Sequence, residues 1–187
     1  MKKSIEDFKS ALSRGGVRPT MYEVTFSIPQ TLTANSNVQV DDVRGFTMLT
    51  KAAAIPGETV TTISVGLPAG AVLKLPGSRI YEPWNCTVIS DGTMRLRSIF
   101  ELWSDRIIGR EAPLRELDGT AYLSTVEVTQ LGRDGEPLRA YTLHHAYPIS
   151  VSPQQLGYEG EMLSEFQLTW NYHYHTATSD FTDREDQ

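Results

Sequence analysis

The side chains with the most chemical potential in this sequence are four histidines, His144, His145, His173 and His175. His173 and His175 lie two apart in a β-like stretch, which sets both imidazoles on one strand face as a possible metal pair, and His144-His145 could add a ligand. No carboxylate or thiolate stands in register with them, so solvated or interface histidines are the preferred reading. Ser, His and Asp are plentiful, yet there is no nucleophile elbow, because Ser64-Val65-Gly66 is not Gly-x-Ser-x-Gly. Gly57, Gly66, Gly70 and Gly77 are too widely spaced for a dinucleotide or phosphate cradle and sit beside prolines at strand ends, which reads them as turn residues. Arg79, Tyr81 and Trp84 interleave a cation with aromatics, as single-stranded nucleic-acid binders do. The bland reading is preferred: Tyr81 and Trp84 pack in the core or against Phe100 and Trp103, and Arg79 makes a salt bridge or carbonyl contact. No catalytic residue, cofactor or metal site is therefore expected.

Charge points the same way. Lys and Arg number 17 against 23 Asp and Glu, a formal charge of -6 over 187 residues, which disfavours coating a phosphate backbone. The single cysteine, Cys86, cannot close an internal disulfide and reads as a small buried hydrophobe; Asn85-Cys86-Thr87 is a formal glycosylation sequon that means little without secretion. No window approaches the roughly 18 apolar residues of a membrane span. Met1-Lys2-Lys3 leads into Ser4-Ile5-Glu6-Asp7 rather than an apolar signal core. The expectation is a soluble protein made in the cytoplasm, with no membrane anchor. A 40% hydrophobic content suffices for one sizeable core, so 1–187 reads as a single domain with polar ends.

The elements that must position these residues are mostly strands. Ser4 to Leu12 has the pattern of a short helix, with Ser4 capping, Asp7 three residues on, and Ile5, Phe8 and Leu12 on one side. Tyr22, Val24, Phe26 and Ile28 alternate with polar residues as a half-buried strand stopped by Pro29. Thr31 to Val43 is polar and reads as a loop. Phe46 to Ala53 and Thr59 to Val65 read as strands joined through Ile55-Pro56-Gly57, and Ala71 to Leu75 follows as the second arm of a hairpin within Gly57 to Gly77. Trp84 to Ile89 is another strand. Asp91 then caps the one long helix, 92–107, whose Leu96, Ile99, Phe100, Trp103 and Ile107 form a stripe. Tyr122 to Leu131 and Leu138 to Tyr147 form a hairpin through Arg133-Asp134-Gly135-Glu136. Pro148 to Gly160 reads as a loop, and Phe166 to His175 as the last strand. The fold class is α+β, mainly β: an antiparallel barrel or sandwich with one main helix and a short N-terminal helix.

Several of these segments form an ordered set: Lys51-Ala52-Ala53-Ala54-Ile55-Pro56-Gly57; Gly77-Ser78-Arg79-Ile80-Tyr81-Glu82-Pro83-Trp84; Thr87-Val88-Ile89-Ser90-Asp91; and Phe100-Glu101-Leu102-Trp103. With Arg18-Pro19 before the first strand and Glu165 to Tyr172 as the closing strand, the chain resembles the tail tube protein of contractile-tailed phages over nearly its whole length. Two departures stand out, the polar stretch around Thr31 to Val43 and the acidic tail 176–187. Pro56, Gly57, Arg79, Tyr81, Trp84, Asp91, Phe100 and Trp103 are the motif positions.

The resemblance implies a structural subunit that closes into hexameric rings, stacked into a tube inside a contractile sheath, with baseplate and tail terminator proteins at its ends and DNA passing through without specific binding. It implies a place in the virion tail. Bacteriocin tails and type VI secretion tubes share the fold, so a tube subunit of such a system is an alternative. A small-ligand-binding barrel is a further one, which would need convergent polar groups in an apolar pocket. An acidic balance suits a duct that DNA slides through. Subunit contacts are expected from the arm 1–20, through Ile5, Phe8, Leu12 and Arg18, and from the hairpin, through Val60, Ile63, Val65, Leu67, Val72 and Leu73. A monomer gains nothing by exposing so apolar a hairpin, although a buried strand pair would also explain it.

Overall fold

The computed structural model describes residues 4–12, 16–33, 38–108, 120–157 and 163–178. The acidic tail beyond 178 and the middle of the polar stretch, 34–37, lie outside the described residues. Among the described residues nine strands dominate: β1 (Tyr22–Phe26), β2 (Thr50–Ala53), β3 (Glu58–Gly66), β4 (Val72–Tyr81), β5 (Trp84–Ile89), β6 (Ser124–Leu131), β7 (Pro137–Val151), β8 (Glu165–Asn171) and β9 (Tyr174–Ala177). Four helices accompany them: α1 (Ile5–Ala11), α2 (Gln30–Thr33), α3 (Val40–Leu49) and α4 (Arg95–Ile107).

All pairings are antiparallel, and the main sheet runs β1-β6-β7-β8-β5-β2, with β9 added to β7. β7 is long enough to turn a corner. Its first part pairs with β6 and β9, its last part with β8, and the change falls at a bulge where His145 takes a left-handed φ of 55°. The sheet thus curls without closing. Its two end strands approach through a side chain rather than a ladder, the Tyr22 hydroxyl donating to the Thr50 carbonyl at 3.0 Å. α3 packs on β1 and runs directly into β2, and its Thr47 hydroxyl donates to the Val24 carbonyl at 2.9 Å, occupying a β1 acceptor that a closing strand would otherwise take. The expected mainly β, antiparallel class with accompanying helices holds, and among the described residues the sheet curls without closing into a barrel.

An aromatic cluster fills the curl. Phe26, Phe46, Phe100, Trp103 and Trp170 approach with ring centroids 5.1–6.1 Å apart, several edge to face. α4 supplies Leu96, Ile99, Phe100 and Trp103 as its buried stripe, and the Trp103 indole donates to the Tyr122 carbonyl at 3.0 Å.

Several expectations need correction. The described residues of Thr31 to Val43 are not all loop: most of α2 and the start of α3 fall there, and Thr31, Leu32 and Asp42 are buried. Phe46 to Ala53 is the end of α3 followed by β2, because Asp42 accepts the Gln39 amide at 2.8 Å and starts a helix that buries Phe46. Asp91 does not cap α4. Its carboxylate instead takes the Thr93 amide and hydroxyl, and the helix begins three residues later than expected, behind Met94 in the left-handed conformation. β7 continues through Pro148 to Val151, where a register shift at Pro148 removes the need for its missing N–H. The last segment is two strands, broken at Tyr172-His173.

Candidate assembly surface

Among the described residues β3 and β4 pair only with each other, as a two-stranded ribbon separate from the main sheet. A turn closes its tip: the Leu67 amide donates to the Ala71 carbonyl at 2.8 Å, and Gly70 takes a φ of 80° that favours glycine. The arm is longer than expected, reaching Tyr81 rather than Leu75, with Gly77 inside β4 rather than at a strand end. At Gly77 the register shifts, so that Gly77 and Ser78 together face Thr61. A Cβ on Gly77 would stand 2.5 Å from the Thr61 hydroxyl oxygen and 3.1 Å from its carbonyl oxygen. That close approach is what requires glycine there.

Val60, Ile63, Val65, Leu67, Val72 and Leu73, singled out from sequence, are all exposed in the single chain, and so are Leu75 and Ile80. Sequence reasoning did not single out Leu75, and it missed Ile80 because the second arm was expected to end at Leu75. The buried-pair alternative does not hold within one chain. At the ribbon's base Arg79 pairs with Glu58 at 3.0 Å on an exposed surface. Tyr81 anchors the base to the body, its ring 5.9 Å from Tyr172 and 5.3 Å from His175, and not against Phe100 or Trp103. Burial pushes the Tyr172 hydroxyl above its ordinary range, helped by Tyr81, Glu82 and Glu58. Trp84 is buried, donating to the Ala54 carbonyl at 2.5 Å, and Pro56 is buried beside an exposed Gly57.

α1 carries the expected capping box: the Ser4 amide donates to Asp7 at 2.9 Å, and the Asp7 amide to the Ser4 hydroxyl at 3.2 Å. Ile5 and Phe8 on its apolar side are 76% and 66% exposed, and Leu12 is exposed next to them. Arg18 is exposed, and its carbonyl accepts from the Gln130 side chain at 2.9 Å.

The histidines do not combine as their spacing suggested. The His173 ring lies 5.1 Å from His145, whereas His175 turns among Tyr81, Tyr141 and Tyr172, because the break before β9 rotates the chain between them. His144 stacks on Tyr174 and bonds the Thr176 hydroxyl at 2.9 Å. Among the described residues no three His, Cys, Asp or Glu side chains converge as a metal site would need, and no helix is long and apolar enough to cross a membrane.

Solved structures that share this fold include three parts of contractile injection systems. A chain in the anti-feeding prophage baseplate is 15% identical, with a TM-score of 0.64, covering 87% of this chain and 95% of that one. A chain of the sheath–tube complex of the extracellular contractile injection system PVC is 12% identical, with a TM-score of 0.58, covering 95% and 99%. A chain of the sheath/tube terminator of that system is 12% identical, with a TM-score of 0.57, covering 88% and 97%. No curated protein sequence matches. The model of the phage tail tube protein family matches residues 17–178. That span holds the ribbon, the curled sheet and α4, and the chain belongs to the phage tail tube protein family, a family of structural tube subunits and not of enzymes.

Proposed function

We propose that the chain is the subunit of the inner tube of a contractile phage tail, closing into hexameric rings that stack into the conduit for DNA ejection. The observation that carries this reading is the ribbon: a well-packed body projects two strands with free edges and eight exposed aliphatic side chains, together with an N-terminal helix whose apolar side is exposed. Such surfaces are costly in a dispersed monomer and useful in a polymer. The contacts run through Ile5, Phe8, Leu12 and Arg18 of the arm and through Val60, Ile63, Val65, Leu67, Val72 and Leu73 of the ribbon. A sheath surrounds the tube in the virion, with baseplate and terminator proteins at its ends, and the channel wall is mostly polar and acidic so that DNA slides without adhering.

Electron microscopy of purified protein tests this. Rings or tubes are expected from the native sequence. Replacing Gly66 to Gly70 by a short Gly-Ser turn, or Ile63→Asp with Leu67→Asp, is expected to leave a folded subunit that polymerises poorly; normal tubes from those variants would overturn the contact assignment. A second reading, the tube of a non-phage injection system, is favoured by the extracellular and anti-feeding assemblies that contain the similar folds. Purified particles decide between them, since DNA-filled capsids attached to the tails support the phage reading and tails alone the other.

A further inference from the structure

The two faces of the ribbon differ, and the difference follows from its register. In a strand pair, directly opposed residues point to the same side. Ile63 opposes Leu75 and Val65 opposes Leu73, so one side of the distal half is wholly aliphatic. Thr62 opposes Pro76, Ser64 opposes Lys74 and Gly66 opposes Val72, so the other side carries hydroxyls, a proline and a cation, with one valine at its tip. The bulge at Gly77 sets this alignment, because one extra residue in β4 brings Leu73 and Leu75, rather than Lys74, opposite Val65 and Ile63. Ile63, Val65, Leu73 and Leu75 are 54%, 40%, 46% and 43% exposed, so among the described residues nothing covers the aliphatic side fully.

We propose that the ribbon is a one-sided interface along its middle: the face of Ile63, Val65, Leu73 and Leu75 is covered by a second copy of this chain, while Thr62, Ser64 and Lys74 on the other face stay in water, and Val72 and Val60 of that face meet neighbours only at its tip and base. This rests on the reading of the chain as a tube subunit. A tube subunit by its nature touches further copies of itself, and a two-stranded ribbon is marginal in water until one face is covered. The aliphatic side holds no charge in its distal half, so covering it strips no ion of water, whereas burying the opposite side would desolvate Lys74 and two hydroxyls. A heterologous contact of this kind, one patch on an unlike patch of the next copy, is what generates rings and open stacks.

Single cysteines on adjacent residues read the two faces directly, because the native Cys86 is buried. Val65→Cys and Ser64→Cys are labelled with a maleimide in dispersed subunits and in assembled tubes, and Leu73→Cys with Lys74→Cys repeats the comparison on β4. All four positions react in the dispersed subunit. In tubes, labelling at positions 65 and 73 is expected to slow by at least an order of magnitude, while positions 64 and 74 keep their dispersed rate. Protection of both faces, or of the polar face alone, would overturn one-sidedness while leaving the tube assignment intact. Tubes with no protection at any position would show that the ribbon is not a contact, and failure of the native chain to form rings or tubes at all would overturn the tube reading itself.

Discussion

Asp42→Asn isolates the interaction that holds α3 to α4 across the mouth of the sheet. The Asp42 carboxylate is 8% exposed and receives the Arg95 guanidinium through Nε and through Nη2 at 2.8 Å, as well as the Gln39 amide at 2.8 Å. Asparagine keeps the shape and can still accept from Gln39, so the substitution removes the charge and one arm of the guanidinium contact. Hydrogen bonds to charged groups contribute about 1.5–3 kcal/mol; Arg95 is half-exposed, which weakens its half of the pair, and a loss of about 1–2 kcal/mol is expected. For a chain of this size that corresponds to a melting temperature lower by about 2–8 °C. The Arg95 hydrogen bond, aided by the Gln39 amide and the Arg95 charge, holds the Asp42 carboxyl below its ordinary 3.8 despite an opposing push from burial. Because the folded pKa is the lower one, the stabilisation is fully present above 3.8 and is lost as pH falls through the folded value. Thermal melts of dispersed subunits at pH 7 and pH 3 are the assay. The native chain should be the more stable at pH 7, and the gap should narrow at pH 3. Equal melting at pH 7, or a gap undiminished in acid, would refute the ion-pair account.

Two further outcomes follow from particular side chains. Burial, only partly offset by Trp170, pushes the Cys86 thiol up to about 12; a disulfide reagent at pH 8 should leave the folded protein unmodified and titrate one thiol after denaturant is added, and rapid native labelling would contradict its place in the core. Gly77→Val drives a side chain into the Thr61 carbonyl, so the ribbon register should slip and tube formation should fail while the melting of the body stays within about 2 °C of native, since the ribbon meets the core only at its base, through the partly buried Tyr81; tubes of normal yield would show that the bulge is dispensable.

What could be read from sequence was whatever repeats cleanly or turns by known chemistry. β1 shows period two from Tyr22 to Phe26, α4 shows a helical stripe from Leu96 to Trp103, and Asp134-Gly135 marks the hairpin of β6 and β7, with Gly135 at a φ of 82°. α3 was hidden because Val40–Leu49 buries only Asp42 and Phe46, contains Gly45 and β-branched residues, and passes into β2 with no breaker between Leu49 and Thr50. β7 was cut short at Pro148 because a proline inside a strand normally argues against it; the register shift there is a tertiary feature that no local pattern announces. The ribbon showed its apolar residues but not its faces. Alternation counted through Pro76-Gly77-Ser78 without the bulge places Ile80 and Tyr81 on the wrong sides, and only the pairing of Val60 with Arg79 corrects it.

The division between body and appendages explains why one chain can be both stable and adhesive. Every member of the aromatic cluster comes from β1, α3, α4 or β8, and the ribbon and α1 contribute no buried core residue. The body therefore keeps its stability whether or not a neighbour is present. The ribbon is tied to it chiefly through Tyr81 against Tyr172 and His175, a footing that sets its direction without covering its aliphatic side. On the proposed reading this arrangement lets the subunit fold before it polymerises, so that assembly adds contacts to a finished domain. A ring built this way needs each ribbon to project at a fixed angle, because a small error repeated around a closed circle prevents closure. The aromatic footing at Tyr81 is then as necessary to the tube as the aliphatic face it supports.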